Sequence, residues 1–333
     1  MSFEDDLRAR LARRIERGDS SAAARLAAAA WASLSGRGVA RPLALPPAAR
    51  VIGVGSAVLG GAGKTPLAVG LARELSRRGE QVALIGHAYR AARPPLRGHL
   101  VAPRDPVDMV GDDALAAARL LDGSGAQVVI AARRAAAVAH AAAMGAQVII
   151  LDGVLQTSPR RLDDAVLVLD AATPWGSGAC PPAGDLRAPR AALLGAADHV
   201  AILTEGIGAL PEGAPEGAVA VPSTVGFVTN AQGERRPLAS LASLRLGLLV
   251  AVARPERVVA TLDRAGIRPA VVMALADHAS LSPEETRGAA RAQVDAWLTT
   301  ERCAVKLPAN LGGREVLALE HRLALDALLD RLA

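Results

Sequence analysis

The sequence predicts an α/β fold: a parallel sheet flanked by helices, with a second, smaller α/β domain and an N-terminal helical segment. Three observations carry this. Short, continuously apolar runs recur at 51–54, 82–85, 128–131, 148–151, 166–169 and 200–203. Helical patterns separate several of them, over 66–78, 112–122 and 134–144. Unbroken apolar strands alternating with helices form parallel sheets covered on both faces. Third, the run at 51–54 feeds a glycine-rich turn, and a helix follows with Lys64 and Thr65 at its start.

In chain order, residues 3–36 read as two helices broken near Gly18-Asp-Ser-Ser21, where Asp19 or Ser20 would cap the second. The second is short and Ala-rich. It has two readings: a helix packed on the core, or one lying in a bilayer interface with Trp31 and Leu34 as anchors.

The turn that follows the first strand reads Gly60-Gly61-Ala62-Gly63-Lys64-Thr65. Glycines let successive backbone N–H groups point inward, and a helix N-terminus adds partial positive charge. Lys64 would neutralise phosphate oxygens, and the Thr65 hydroxyl would ligate Mg²⁺. The usual G-x-x-x-x-G-K-[ST] spacing wants glycine at 58, where this chain has Val58. The match is to a variant loop. Its flanks complete a βαβ unit, with the next strand at 81–85, which favours nucleotide binding over an idle turn.

Two acidic positions stand out downstream. Residues 147–152 form an apolar strand ending in Asp152. Ligands of such sheets bind beyond the carboxyl ends of strands, which would put Asp152 on the metal side of the loop. Asp112 and Asp113 open a helix, and local capping and dipole complementarity explain them as well as chemistry does.

The turn-rich stretch 206–217 marks a boundary. It gives a helical segment at 1–36, a nucleotide-binding domain at 37–217 and a smaller α/β domain at 218–333, with a β-strand linker near 218–228. Further strands are expected at 244–252, 269–273, 296–299 and 315–319, and helices from Pro255, Ser282 and about His321. Ser282-Pro-Glu-Glu combines a serine cap, proline at the first position and acids in the first turn.

Composition narrows the classes. The 333 residues are 51% hydrophobic but only 2% aromatic, so Ala, Leu and Val must fill the interior. A net charge of +5 suits phosphate-bearing ligands or an anionic membrane surface. With no stacking aromatic cluster, a nucleic-acid partner is not expected. Cys180 and Cys303 lie far apart without metal or redox spacing, so they read as buried free thiols of a reducing compartment. No apolar run reaches the ~18–20 residues of a membrane-spanning helix.

Beyond single motifs, the chain resembles the tetraacyldisaccharide 4′-kinase family. That family's loop VGNLTxGGxGKTP is similar to Val54-Gly-Ser-Ala-Val-Leu-Gly-Gly-Ala-Gly-Lys-Thr-Pro66. Its GDEP resembles Gly111-Asp-Asp-Ala114, and its DDGLQH resembles Asp152-Gly-Val-Leu-Gln-Thr157. GNGxxLPAGPxRE is similar to the segment from Gly176 to Ala188, and AGIxxPxRF to that from Val250 to Val258. ADHxxL resembles Ala276-Asp-His-Ala-Ser-Leu281, and TEKDAVK resembles Thr300-Glu-Arg-Cys-Ala-Val-Lys306. The blocks keep the family's order across roughly residues 40–310.

The resemblance implies a P-loop kinase-like fold of two α/β domains. It implies transfer of the ATP γ-phosphate to the 4′-hydroxyl of a lipid A disaccharide precursor. The enzyme would sit peripherally on the cytoplasmic face of the bacterial inner membrane, with its N-terminal helix in contact. Carried over, Asp112 and His278 form the dyad that activates the hydroxyl. Gly60, Gly61, Ala62, Gly63, Lys64 and Thr65 bind ATP. Thr65, Asp152 and Asp113 serve Mg²⁺, and Gln156 and Arg187 bind substrate.

The chain also departs from the family inside its motifs. Ser56 replaces an asparagine, His87 the arginine of SRGYG, Asp113 a glutamate and Gly153 the second acid of DDG. Thr157 replaces a histidine, Ser177 an asparagine, Ala188 a glutamate and Cys303 an aspartate. Three outcomes fit these losses: an active divergent kinase, a kinase with a changed acceptor, or an ATP-binding regulatory protein without transfer.

Overall fold

The structure, a computed structural model, describes Gly18 and residues 21–38, 40–41, 45–88, 91–92, 94–157, 162–206 and 208–333. The first expected helix, before Gly18, lies outside the described residues, as do Asp19 and Ser20. The chain forms two compact units. Among the described residues, those up to Ser223 and again Leu323–Ala333 make the larger, and Thr224–Arg322 make the smaller.

The larger unit opens with helix α1 (Ala22–Gly38), started by Ser21, whose Oγ accepts from the Ala24 N–H at 3.3 Å. Strand β1 (Ala40–Arg41) follows, then β2 (Arg50–Ser56), α2 (Lys64–Arg77), β3 (Val82–Ile85) and β4 (His99–Leu100). Next come α3 (Val107–Val110), α4 (Asp112–Leu121), β5 (Gln127–Ile130), α5 (Arg134–Ala143) and β6 (Val148–Asp152). The series closes with β7 (Gln156–Thr157), β8 (Asp164–Asp170), α6 (Arg190–Gly195), β9 (His199–Glu205) and the first half of β10 (Val219–Thr229).

The sheet order is β10–β9–β8–β2–β6–β3–β5–β4, parallel throughout except for the β5–β4 pair. β1 pairs separately with β7. Both faces are covered, which is why the strands read as unbroken apolar runs. On one face Ala137, Val138 and Ala141 of α5 pack against Val51, Ile85, Val129, Ile149 and Leu151. The alternate residues Ile52, Leu84 and Ile150 are equally buried, and α2 lies against β2, β3 and β6. Register sets the site: Val54 of β2 pairs with Asp152 of β6, so the carboxylate ends its strand beside the start of the glycine loop.

The smaller unit holds the rest of β10, β11 (Arg235–Pro237), a 3-10 turn (Leu238–Leu241) and β12 (Leu246–Val250). It continues with α7 (Pro255–Arg264), β13 (Val271–Ala274), α8 (Pro283–Arg291), β14 (Ala296–Thr300), α9 (Glu301–Ala304), β15 (Asn310–Leu311) and β16 (Arg314–Leu323). Strands run in the order β13–β12–β14–β16–β10, with β12, β13, β14 and β16 mutually parallel where they pair. The cap at α8 forms in full: Ser282 Oγ accepts from the Glu285 N–H, and Glu285 Oε2 accepts from the Ser282 N–H.

Two expectations shift. The terminal helix α10 spans Asp326–Leu332 rather than starting near His321, because residues up to Leu323 are drawn into β16. The tail also packs with the larger unit. Leu325, Leu328, Leu329 and Leu332 are buried, and Leu325 fills the space left by Gly70, where a Cβ would crowd it. Burying such a leucine stabilises by about 1.5–3 kcal/mol each, and Arg50 adds a hydrogen bond to the Leu332 carbonyl. The unit boundary falls inside β10 at 223/224, against 217/218 read from the turn signals.

Candidate active site

Between β2 and α2 the chain turns through residues 57–63. Gly63 has φ +80 and immediately precedes α2. A Cβ there would run into the Leu203 side chain, so both backbone and space require glycine. Ala62 is buried in a cluster with Val58, Leu167 and Ile202. Lys64 and Thr65 are the first two residues of α2, which has no side-chain cap and no acid in its first turn. Nothing in that turn competes with an anion for the helix N-terminus.

Residues 185–187 brace the loop. The Leu59 N–H donates to the Asp185 carbonyl at 2.9 Å, and the Arg187 N–H donates to the Ala57 carbonyl at 2.8 Å. Arg187 also donates through Nε to the Val58 carbonyl and through Nη2 to the Leu59 carbonyl. Val58 is buried and bridges to Leu186. The chain tolerates valine where the usual loop has glycine because this stretch is extended against a neighbour rather than tightly turned.

At the end of β6, Asp152 Oδ2 accepts from Thr65 Oγ1 at 2.7 Å, while Oδ1 is buried with no hydrogen-bond partner. An unpaired buried carboxylate oxygen is costly unless something binds it. A hydroxyl and a carboxylate side by side are hard oxygen donors of the kind Mg²⁺ takes, so the residues fit that ion.

Cations crowd this point. Arg134 Nη2 donates to the Asp152 carbonyl at 2.8 Å and to His87 Nε2 at 2.7 Å. Burial, then the Arg134 charge, push His87 down to about 4, with Lys64 and Arg187 adding to the effect. The ring is therefore neutral. Burial also lowers the Arg134 and Arg187 guanidiniums, and the Asp152 charge acts against it in both. Arg134 and Arg187 thus feel the Asp152 carboxylate, and Lys64 joins them in acting on His87, a cluster of cations suited to an anionic ligand.

The larger unit gathers the loop residues Gly60, Gly61, Ala62, Gly63, Lys64 and Thr65 with Asp152 and Arg187. Asp112 and Asp113 head α4; Asp112 is buried, and its Oδ1 accepts from the Asp113 N–H at 3.0 Å. Gln156 lies in β7, paired with Ala40; its side chain is outside the described residues. His278 belongs to the smaller unit. It sits after β13 at φ +60, with its N–H on the Ala251 carbonyl and Nε2 3.1 Å from Arg302 Nη1. Arg302 Nη2 in turn donates to Asp277 Oδ1 at 2.6 Å and to the Ala251 carbonyl. Arg134 escaped the sequence reading. Its signal was there: Arg133-Arg134 follow the carboxyl end of β5, where parallel sheets bind ligands.

The family model described as Tetraacyldisaccharide-1-P 4′-kinase matches residues 20–332. The chain belongs to this family. The kinase is 34% identical over 311 residues to the tetraacyldisaccharide 4′-kinase of Anaeromyxobacter sp. (strain K), covering 86% of this chain and 79% of that one. It is 36% identical over 285 residues to that of Methylobacterium nodulans, covering 83% and 81%. LpxK from Aquifex aeolicus, solved as an "apo" form in complex with ATP, shares the fold. Its TM-score is 0.64 over 90% of this chain and 91% of that chain, at 22% identity. The α/β P-loop fold and the ATP-dependent kinase class expected from the sequence hold.

Several departures of this kinase have local explanations. Ser177 Oγ donates to Asp185 Oδ1, and the Ser177 N–H donates to the same oxygen, fixing the residue that braces Leu59. Ala188 is fully buried in the core below the loop. Cys303 is buried and its Sγ accepts from the Ala251 N–H at 3.3 Å. Ser56 Oγ donates to the Val58 carbonyl at 3.0 Å. Each replacement satisfies or packs its own surroundings.

Proposed function

We propose that this kinase transfers the γ-phosphate of ATP to the 4′-hydroxyl of tetraacyldisaccharide 1-phosphate, a step of lipid A synthesis. One observation carries the reading: Asp152, bonded to Thr65 through one oxygen and left unpaired at the other, stands at the mouth of a glycine loop. Loop N–H groups and Lys64 take the phosphates. Thr65 and Asp152 would hold Mg²⁺, and Asp113 would serve the same ion. When bound, the ion neutralises charge on the transferring phosphoryl group.

Asp112 accepts the proton of the acceptor hydroxyl, a weak nucleophile that needs such a base. His278 acts in the same step. Its left-handed backbone costs on the order of 1–3 kcal/mol, and such strain is retained where a side chain must be aimed. Arg187 holds the loop to which the phosphates bind, and Gln156 contributes to substrate binding. The protein attaches to the cytoplasmic face of the inner membrane through α1. No described helix is long and apolar enough to cross a membrane.

The test is direct. Purified protein receives γ-labelled ATP, Mg²⁺ and tetraacyldisaccharide 1-phosphate in detergent, beside Lys64→Ala and Asp112→Ala. Labelled lipid from wild type, with losses of about 10²–10⁴-fold in the variants, is expected. ATP binding with no labelled lipid from wild type would replace this reading with a regulatory one.

A further inference from the structure

Gly153 follows Asp152 at φ +81, and a Cβ built on it would fall on the His87 imidazole, within contact distance of Nε2. The histidine therefore occupies the space that a side chain at 153 would need. It reaches there from the loop after β3, the strand next to β6 in the sheet. From that position the imidazole accepts from Arg134 Nη2, which lies 2.7 Å from Nε2 and 3.2 Å from Nδ1 and also donates to the Asp152 carbonyl. Both positions are among those at which the sequence departs from the motifs it resembles.

Arg134 needs such help. It is the first residue of α5, where the helix dipole disfavours a cation, and burial disfavours its charge further. Its Nη2 has two acceptors here, the Asp152 carbonyl and the imidazole. We propose that His87 is a positioning residue for phosphoryl transfer: by accepting from Arg134 it fixes that guanidinium beside Asp152, among the cations that meet the nucleotide's phosphates, and Gly153 is kept small to admit it. A neutral ring suits this role, since an imidazolium has no lone pair to offer.

The rate effect rests on the kinase reading; the nucleotide affinity does not. Both are measured on the full chain, affinity by displacement of a fluorescent ATP analogue with Mg²⁺, and rate by lipid phosphorylation. His87→Ala should weaken MgATP binding about tenfold and lower kcat. His87→Gln, whose amide oxygen still accepts, should recover to within about threefold of wild type. In a cycle with Arg134→Ala, the double variant should be no worse than the worse single one, because both remove one interaction. Wild-type affinity in His87→Ala, effects that multiply in the double variant, or a folded His87→Gln no better than alanine would each overturn the proposal. The expected affinity pattern in a protein that phosphorylates no lipid would keep the placement of Arg134 by His87 at the nucleotide site and overturn its part in transfer.

Discussion

His87 shows how much one residue's surroundings decide. Burial and neighbouring positive charge hold it near 4 in the folded chain, against 6.5 for an ordinary histidine. The unfolded chain takes up its proton as pH falls through 6.5, while the folded protein does so only near 4. The unfolded state therefore binds more protons across that window, and stability rises with pH from about 4 to 6.5. The contribution is fully present above 6.5. At 1.36 kcal/mol per pH unit, roughly 2–3 kcal/mol is lost on acidification to pH 4. Carboxylates titrate nearby, so the comparison with His87→Gln isolates the histidine. Urea midpoints measured between pH 4 and 7 should fall less steeply for the glutamine variant than for wild type. Equal slopes would mean that the ring is not held neutral.

At the scale of elements, α1 presents two opposed faces. Ala28 is buried and Ala32 packs against the core below the glycine loop, while Leu26, Trp31 and Leu34 are 76%, 47% and 64% exposed. At about 100° per residue the three exposed side chains span roughly 140° on the side away from the alanines. The alanine face packs on the core, as one reading expected, and the exposed apolar face is the one that the proposed membrane contact would use. Replacing Leu26, Trp31 and Leu34 together by serine should leave the unfolding midpoint nearly unchanged, because exposed positions contribute within about ±0.5 kcal/mol each. Sedimentation with anionic vesicles should drop several-fold; unchanged sedimentation would remove the membrane role. The same scale shows what was legible in the sequence. Strands such as β3 and β6 were readable because burial on both faces makes them apolar throughout, apart from Asp152 at the end of β6. The cap of α8 was readable because it is local. The end of β16 was not: Glu320 and Arg322 look like a helix start but are held in a strand by ion pairs with each other and with Arg235. The glycine loop and Asp152 announced themselves by motif. The pairing of Arg134 with His87 did not, since they are 47 residues apart and only the fold joins them.

For the whole molecule, the residues proposed for the chemistry lie in two different units of the chain. The larger unit alone supplies the glycine loop, Lys64, the Thr65–Asp152 pair and the arginines around them. The smaller unit supplies His278, set by Arg302 and Asp277, which lie in that same unit. Nucleotide binding should then be a property of the first, and transfer should depend on both. His278→Ala is expected to lower kcat about 10²–10⁴-fold, the range for a lost acid–base group, while MgATP affinity stays within about threefold. Lys64→Ala should lose affinity and turnover together, since its target is the phosphate chain itself. Arg302→Ala should follow His278→Ala at reduced size, because it removes the partners that hold the imidazole rather than the imidazole. If His278→Ala weakens MgATP binding as much as Lys64→Ala does, the histidine belongs to nucleotide recognition, and the proton-handling role passes to Asp112 alone.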